Sequence, residues 1–208
     1  MQRAWFLVLV LCLLFSGLSL AAQEGNDPDE DPDEAPPDSE WVDYTTAPFS
    51  KGDRTFVISL GIVFPTVFIG IDNNDHGLSL GGTGYLAFNY FITQRIFVGG
   101  ELGGMFSGTR AGNMLYIVPF GPRIGYQFWY RRFEFPVSLM IGAAPQKYLN
   151  KGYFGPIAKP SVSAFWRYNP EWSFGLNGAW WLLPQWPNNA NNVIGNFLEL
   201  TISARHHF

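Results

Sequence analysis

In 208 residues the chain has one cysteine and three histidines, and only 14% of its residues are charged. A single thiol excludes an internal disulfide and any cysteine-based metal cluster. No H-E-x-x-H, G-x-S-x-G, phosphate-loop or dinucleotide fingerprint occurs, and neither does a nucleic-acid-binding motif, so neither cofactor nor metal nor nucleic acid is implied. Long apolar runs are also missing from the body of the chain. The charge-free stretch F-V-I-S-L-G-I-V-F-P-T-V-F-I-G-I has sixteen residues, is rich in β-branched side chains and contains Gly61, Pro65 and Gly70. A spanning helix needs about 20 apolar residues, and these residue types favour a strand.

What is abundant is glycine, with 23 residues, and aromatics, at 17% of the chain. So many rings beside so few charges point to a membrane or an all-β protein. The first residues, M-Q-R-A-W-F-L-V-L-V-L-C-L-L-F-S-G-L-S-L-A-A-Q, carry Arg3, an apolar core and small residues near Ala21. They read as a signal peptide over 1–21. Cys12 lies in its apolar core and lacks the small residues that precede a lipidated cysteine. Residues 22–52 read as an acidic, proline-broken linker, expected to be a disordered tail. Ten of the seventeen carboxylates lie between Glu24 and Asp43, too polar to bury a core and without the fixed geometry of a calcium loop. From Lys51 onward twelve basic residues face seven acidic ones.

Over residues 53–208 one phase of alternation persists through eight runs. Ile58, Leu60 and Ile62 oppose Thr55 and Ser59; Leu86 and Phe88 oppose Tyr85 and Asn89; Leu102 and Phe106 oppose Glu101; Ile124 and Phe128 oppose Arg123 and Gln127. Val137 and Leu139 oppose Glu134 and Ser138; Val162 and Trp166 oppose Lys159, Ser163 and Arg167; Phe174 and Leu176 oppose Ser173 and Asn177; Leu200 and Ile202 oppose Glu199, Thr201 and Arg205. Period two with one charge-free, bulky face predicts strands between lipid and an interior. The connections alternate between tight turns (93–94, 130–131, 169–171) and longer loops (65–77, 107–113, 145–155, 184–192). Eight strands with that alternation predict an all-β fold: an eight-stranded antiparallel up-and-down transmembrane β-barrel. Tyr90, Tyr126, Trp129, Trp166, Tyr168 and Trp172 beside the tight turns suit an interfacial girdle. A soluble eight-stranded barrel would need more charge on its outside than either face carries.

With those runs, and with Ile202, Ala204 and a terminal Phe208 at its end, the chain resembles small eight-stranded bacterial outer-membrane barrels of the outer-membrane protein W, X and A transmembrane-domain class. The resemblance implies an outer-membrane location with periplasmic termini. It also implies lipid, periplasmic chaperones and the barrel-assembly machinery as partners, the last reading Ile202, Ala204 and Phe208 as an assembly signal. His206 departs from the aromatic or apolar residue usual before that terminus.

Eight strands leave an interior just wide enough for side chains to fill, which excludes a wide porin. The phase points Glu101, Arg123, Glu134, Arg167, Glu199 and Arg205 inward as a charged plug, with Glu101 pairing Arg123. On the loop side Val63, Met105, Leu115, Ile117, Ile157, Trp181, Leu183 and Phe197 point inward as an apolar mouth or as ordinary core packing. Such a mouth resembles that of the protein W family, which implies a narrow channel or binding barrel for small apolar solutes. Six of the fifteen prolines fall between residues 114 and 160. Since proline has no N–H for a ladder, Pro119, Pro136 and Pro160 mark either bends or a candidate lateral gate. Two other functions stay open: a surface interaction protein acting through the loops that carry Phe68 and Trp186, and a lipid-modifying enzyme using Asp72, Asp75, His76 and Ser79. The last cluster lacks a hydrolase motif, so the chain is expected not to be an enzyme.

Overall fold

The computed structural model describes residues 48–66, 77–109, 112–148, 151–185 and 193–208. Residues 1–47, where the signal peptide and most of the linker are expected, and Phe68, Asp72, Asp75, His76 and Trp186 lie outside the described residues. In chain order the strands are β1 (Arg54–Pro65), β2 (Leu78–Phe91), β3 (Ile96–Thr109), β4 (Met114–Ile117), β5 (Phe120–Tyr130), β6 (Phe133–Tyr148), β7 (Lys151–Arg167), β8 (Trp172–Gln185) and β9 (Val193–His207).

Every pairing is antiparallel, and β9 pairs with β1 from Thr55–His207 to Pro65–Phe197, which closes the sheet on itself. β4 and β5 are two pieces of one stave. Both lie between β3 and β6 and keep one register with each. The barrel therefore has eight staves, as the alternation predicts. The stave breaks at Val118 and Pro119, where the sequence pattern shows a continuous run. Proline supplies no N–H, yet Gly103 donates to the Pro119 carbonyl (2.8 Å) and Val118 donates to the Pro145 carbonyl (3.0 Å). No residue is inserted, so the wall stays stitched without a bulge.

The burial pattern follows the alternation. Thr55, Val57, Ser59 and Val63 of β1 are buried while Ile58, Leu60 and Ile62 are exposed. Leu60, Leu176 and Ile202 stand on the outside at 69%, 65% and 72% exposure. An apolar band of this extent all round the barrel belongs against acyl chains, not water. The inside must bend tightly, and glycine allows it at Gly121 and Gly142. A Cβ on Gly121 would lie 2.5 Å from the Ile141 carbonyl oxygen and 2.6 Å from the Gly142 Cα, so only hydrogen fits where β5 and β6 press together.

The tight turns stand where expected, and Arg131 takes a positive φ of 54° in one of them. The long connections are shorter than the sequence pattern predicts. β3 runs to Thr109, and β6 and β7 keep pairing to Tyr148 and Lys151, through most of the expected loop 145–155. Pro145, Gly152, Gly155 and Pro156 look like loop residues, but pairing with a neighbour overrides local propensity.

Candidate functional site

The lumen is stacked in three layers, and the strand phase decides which side chains enter each. The end beside the tight turns is closed by aromatic rings. Phe49 is buried and stacks on Phe91, with ring centroids 4.1 Å apart and planes 8° apart; Phe91 meets Phe97 at 5.5 Å. The linker expected over 22–52 thus ends inside the barrel, and its last residues are structure. The chain reverses after Phe49 through Ser50–Asp53: the Ser50 N–H donates to Asp53 Oδ2 (2.7 Å), and Gly52 takes a φ of 102° that favours glycine. Arg167 lies over Phe49, its guanidinium carbon 5.0 Å from the ring centre.

Above the rings lies a charged layer. Lys159, 1% exposed, donates to Glu101 Oε1 (2.8 Å) and sits 3.0 Å from Glu199 Oε2. Its ammonium also lies 4.3 Å from the centre of the Tyr85 ring and 5.0 Å from that of Trp181. Arg123 reaches Glu101 at 3.3 Å through Nη1, without hydrogen-bond geometry, and donates from Nε to Ser138 (3.0 Å). The expected Glu101–Arg123 contact therefore exists, but the shorter ion pair of Glu101 is with Lys159. Glu134 accepts from Arg205 Nη1 (2.7 Å) and from Arg167 Nε. The Trp181 indole donates to Glu199 Oε2 (2.8 Å), with weaker bonds to Glu199 from Thr83 (3.3 Å) and Asn177 (3.4 Å). Low dielectric makes each of these pairs strong and each unpaired charge costly.

The loop-side layer is apolar. Val63, Met105, Ile117, Met140, Ala144, Ile157, Ala179, Trp181, Leu183 and Phe197 form one buried cluster, with Leu115 packed against it. Trp181 and Leu183 are 0% exposed. The residues read from the sequence as a mouth or a core are gathered here into one buried cluster, since an eight-stave barrel is only just wide enough for its side chains.

The prolines read as a candidate gate sit on different parts of the wall. Pro119 lies in the bridged break between β4 and β5. Pro136 is buried in β6 and faces a gap in the β6–β7 ladder, and Pro160 faces out from β7 at a gap in the β7–β8 ladder. Ile202 and Ala204 pair with β1 at Leu60 and Ile58, and the Phe208 N–H donates to the Arg54 carbonyl (3.0 Å). His206, unusual by sequence, fills an aromatic slot: its ring meets Trp172 at 4.7 Å and Phe208 at 4.5 Å.

Sequence reasoning placed Lys159 on the inward face but left it out of the plug, and Arg167, eight residues on in the same phase, was the available signal. Phe49, a lone ring at the end of a polar stretch, carried only a faint one. Of the expected Asp72, Asp75, His76 and Ser79 cluster only Ser79 is described, and it is exposed. A different serine–histidine pair exists: Ser173 Oγ lies 2.7 Å from His207 Nε2. It lacks the third member of a hydrolytic triad, since His207 Nδ1 faces Arg167 Nη2 at 3.5 Å and Ser173 is 0% exposed.

Comparison with known proteins agrees with this architecture. The outer membrane protein OprG from Pseudomonas aeruginosa superposes with a TM-score of 0.51 at 9% identity, covering 76% of this chain and 97% of that one. Neisserial surface protein A (NspA) superposes at 0.55 and 10% identity, covering 76% and 98%. At such identities the likeness is one of fold, and the fold is that of small eight-stranded outer-membrane barrels. A protein-family model matches residues 30–206. An uncharacterized protein of Treponema pallidum (strain Nichols) is 31% identical over 188 residues, 83% of this chain and 82% of its own length. The chain therefore belongs to the family that includes this Treponema pallidum protein, and it has the fold of the small outer-membrane β-barrels.

Proposed function

We propose that the chain is a sealed outer-membrane barrel, with its long loops at the cell surface and both chain ends in the periplasm, that works as a scaffold for surface binding and not as a pore. The observation that carries this reading is the filled lumen: stacked rings, a salt-bridged layer and an apolar core lie in series along it. A solute on the straight path would have to break buried ion pairs, each held in low dielectric. Binding by loops on a rigid wall is the ordinary use of such a scaffold, and NspA is by its name a surface protein. Outer-membrane lipid, chaperones and the assembly machinery are its general partners in this reading. No enzymatic role is assigned, since Ser173 is fully buried and His207 faces Arg167 instead of an acid that would orient it.

Two measurements test this. The refolded barrel in planar bilayers should give no stepwise conductance, and steady single-channel steps would overturn the sealed scaffold. On intact cells an added protease should cut within 67–76 and 186–192, while residues 22–47 are cut only after the outer membrane is permeabilised. The reverse pattern would place the loops inside.

A second reading, entry of a small apolar solute into the loop-side layer and exit sideways into lipid, is favoured by the β7–β8 seam. Its ladder runs from Arg167–Ser173 to Ala158–Leu182, skips Lys159 and Pro160, and has no pairs beyond Leu182, although β8 continues to Gln185. Continuing that register sets Pro156 opposite Pro184, two residues without an N–H to give. Neither Pro119 nor Pro136 lies on this seam. On this reading Pro156→Val with Pro160→Val lengthens the ladder and slows uptake of an apolar fluorescent probe several-fold. Unchanged uptake, with β7 amides better protected from exchange, rules the lateral route out.

A further inference from the structure

Asn89 Oδ1, Arg123 Nη1 and Arg205 Nε are buried polar atoms without a hydrogen-bond partner, and all three side chains line the same internal void. The void is about 10 Å³, at the lower limit of what one water-sized particle needs. The layer around it holds three buried carboxylates, Glu101, Glu134 and Glu199, against Arg123, Lys159, Arg205 and the largely buried Arg167. One positive charge is left over among these described residues. No carboxylate is hydrogen-bonded to the two guanidinium atoms at the void, since Arg123 Nη1 meets Glu101 without the right angle and the bond of Arg205 to Glu134 comes from Nη1, not Nε.

We propose that this void is a binding site for one monatomic anion, chloride under cellular conditions. Such an ion accepts from Arg123 Nη1 and Arg205 Nε and neutralises the surplus charge. Asn89 supplies a third donor. As placed, its Nδ2 donates to Thr55 Oγ1 (3.1 Å), and turning the amide over lets Oδ1 accept from the Thr55 hydroxyl while Nδ2 faces the void. A water molecule fills the same space but leaves a buried cation uncompensated, which low dielectric penalises heavily. Oxyanions such as phosphate are too large. Phe91 and Phe97 line the void and Phe49 stacks over them, so exchange with bulk solvent is slow.

The test uses the full barrel crystallised with sodium bromide. Anomalous scattering should show a bromine between Arg123 Nη1 and Arg205 Nε in the wild type. No signal should appear in Asn89→Asp, whose carboxylate takes the place of the ion, nor in Arg123→Gln, which removes the surplus charge. In solution, replacing gluconate by chloride at constant ionic strength should raise the folded-to-unfolded ratio of the wild type by about a hundredfold at a hundred times the dissociation constant. The ratio for Asn89→Asp should stay flat. An ordered water without bromine signal, or equal chloride responses in the wild type and Asn89→Asp, overturns the site.

Discussion

Lys159→Met is expected to destabilise the folded barrel by about 3–5 kcal/mol, the range for removing one partner from a buried charge cluster. Lys159 is the cation that links Glu101 to Glu199, and so ties β3, β7 and β9 together across the lumen. Without it Glu101 keeps Arg123 at 3.3 Å, but Glu199 keeps only neutral donors from Trp181, Thr83 and Asn177. The loss should fall mainly on Glu199, so adding Glu199→Gln should recover part of it, with a coupling of about 1–3 kcal/mol. Arg123→Ala should cost less than Lys159→Met, because Lys159 still holds Glu101. The sequence alone, which pairs Glu101 with Arg123, predicts the larger loss at Arg123. Reversible urea unfolding in lipid vesicles separates the two: equal losses, or additive effects of Lys159→Met and Glu199→Gln, would remove Lys159 from the centre of the network.

Deleting Phe208, or Phe208→Ser, is expected to reduce the amount of assembled, heat-modifiable barrel in cells several-fold, while Phe208→Leu leaves it near the wild-type level. The folded structure gives little reason for so large an effect. Phe208 is 69% exposed, and it contributes one backbone bond to Arg54 and one edge contact with His206. Those contacts are worth roughly 1 kcal/mol, and purified, refolded barrels of all three variants should unfold within about that margin of the wild type. A large loss in cells beside a small one in vitro marks Phe208 as a residue read during assembly. Parallel losses in both settings would make it an ordinary structural contact, and equal assembly of all variants would remove the signal.

The strand content, the phase of each strand and the closed eight-stave architecture were legible because period two is a local property. Each side chain points in or out according to its neighbours one residue away, and lipid on one side leaves the outward positions no choice but apolar ones. The inward sets of Met105, Ile117, Trp181 and Phe197 on the loop side, and of Glu134, Arg167, Glu199 and Arg205 below, follow from counting in twos. What counting cannot supply is which inward groups meet, because that depends on the stagger of staves far apart in sequence. Lys159 and Glu101 are 58 residues apart, and their 2.8 Å contact exists only once β7 and β3 curve to face each other. Phe49 escaped for a related reason: it lies outside any alternating run, and only the closed ring of Phe91, Phe97 and His207 gives it a place to insert. The apolar layer was open to two readings by composition, a mouth or a core. In the folded barrel Trp181, Leu183 and Phe197 lie buried in one cluster, a grouping that exists only once the eight staves close around it.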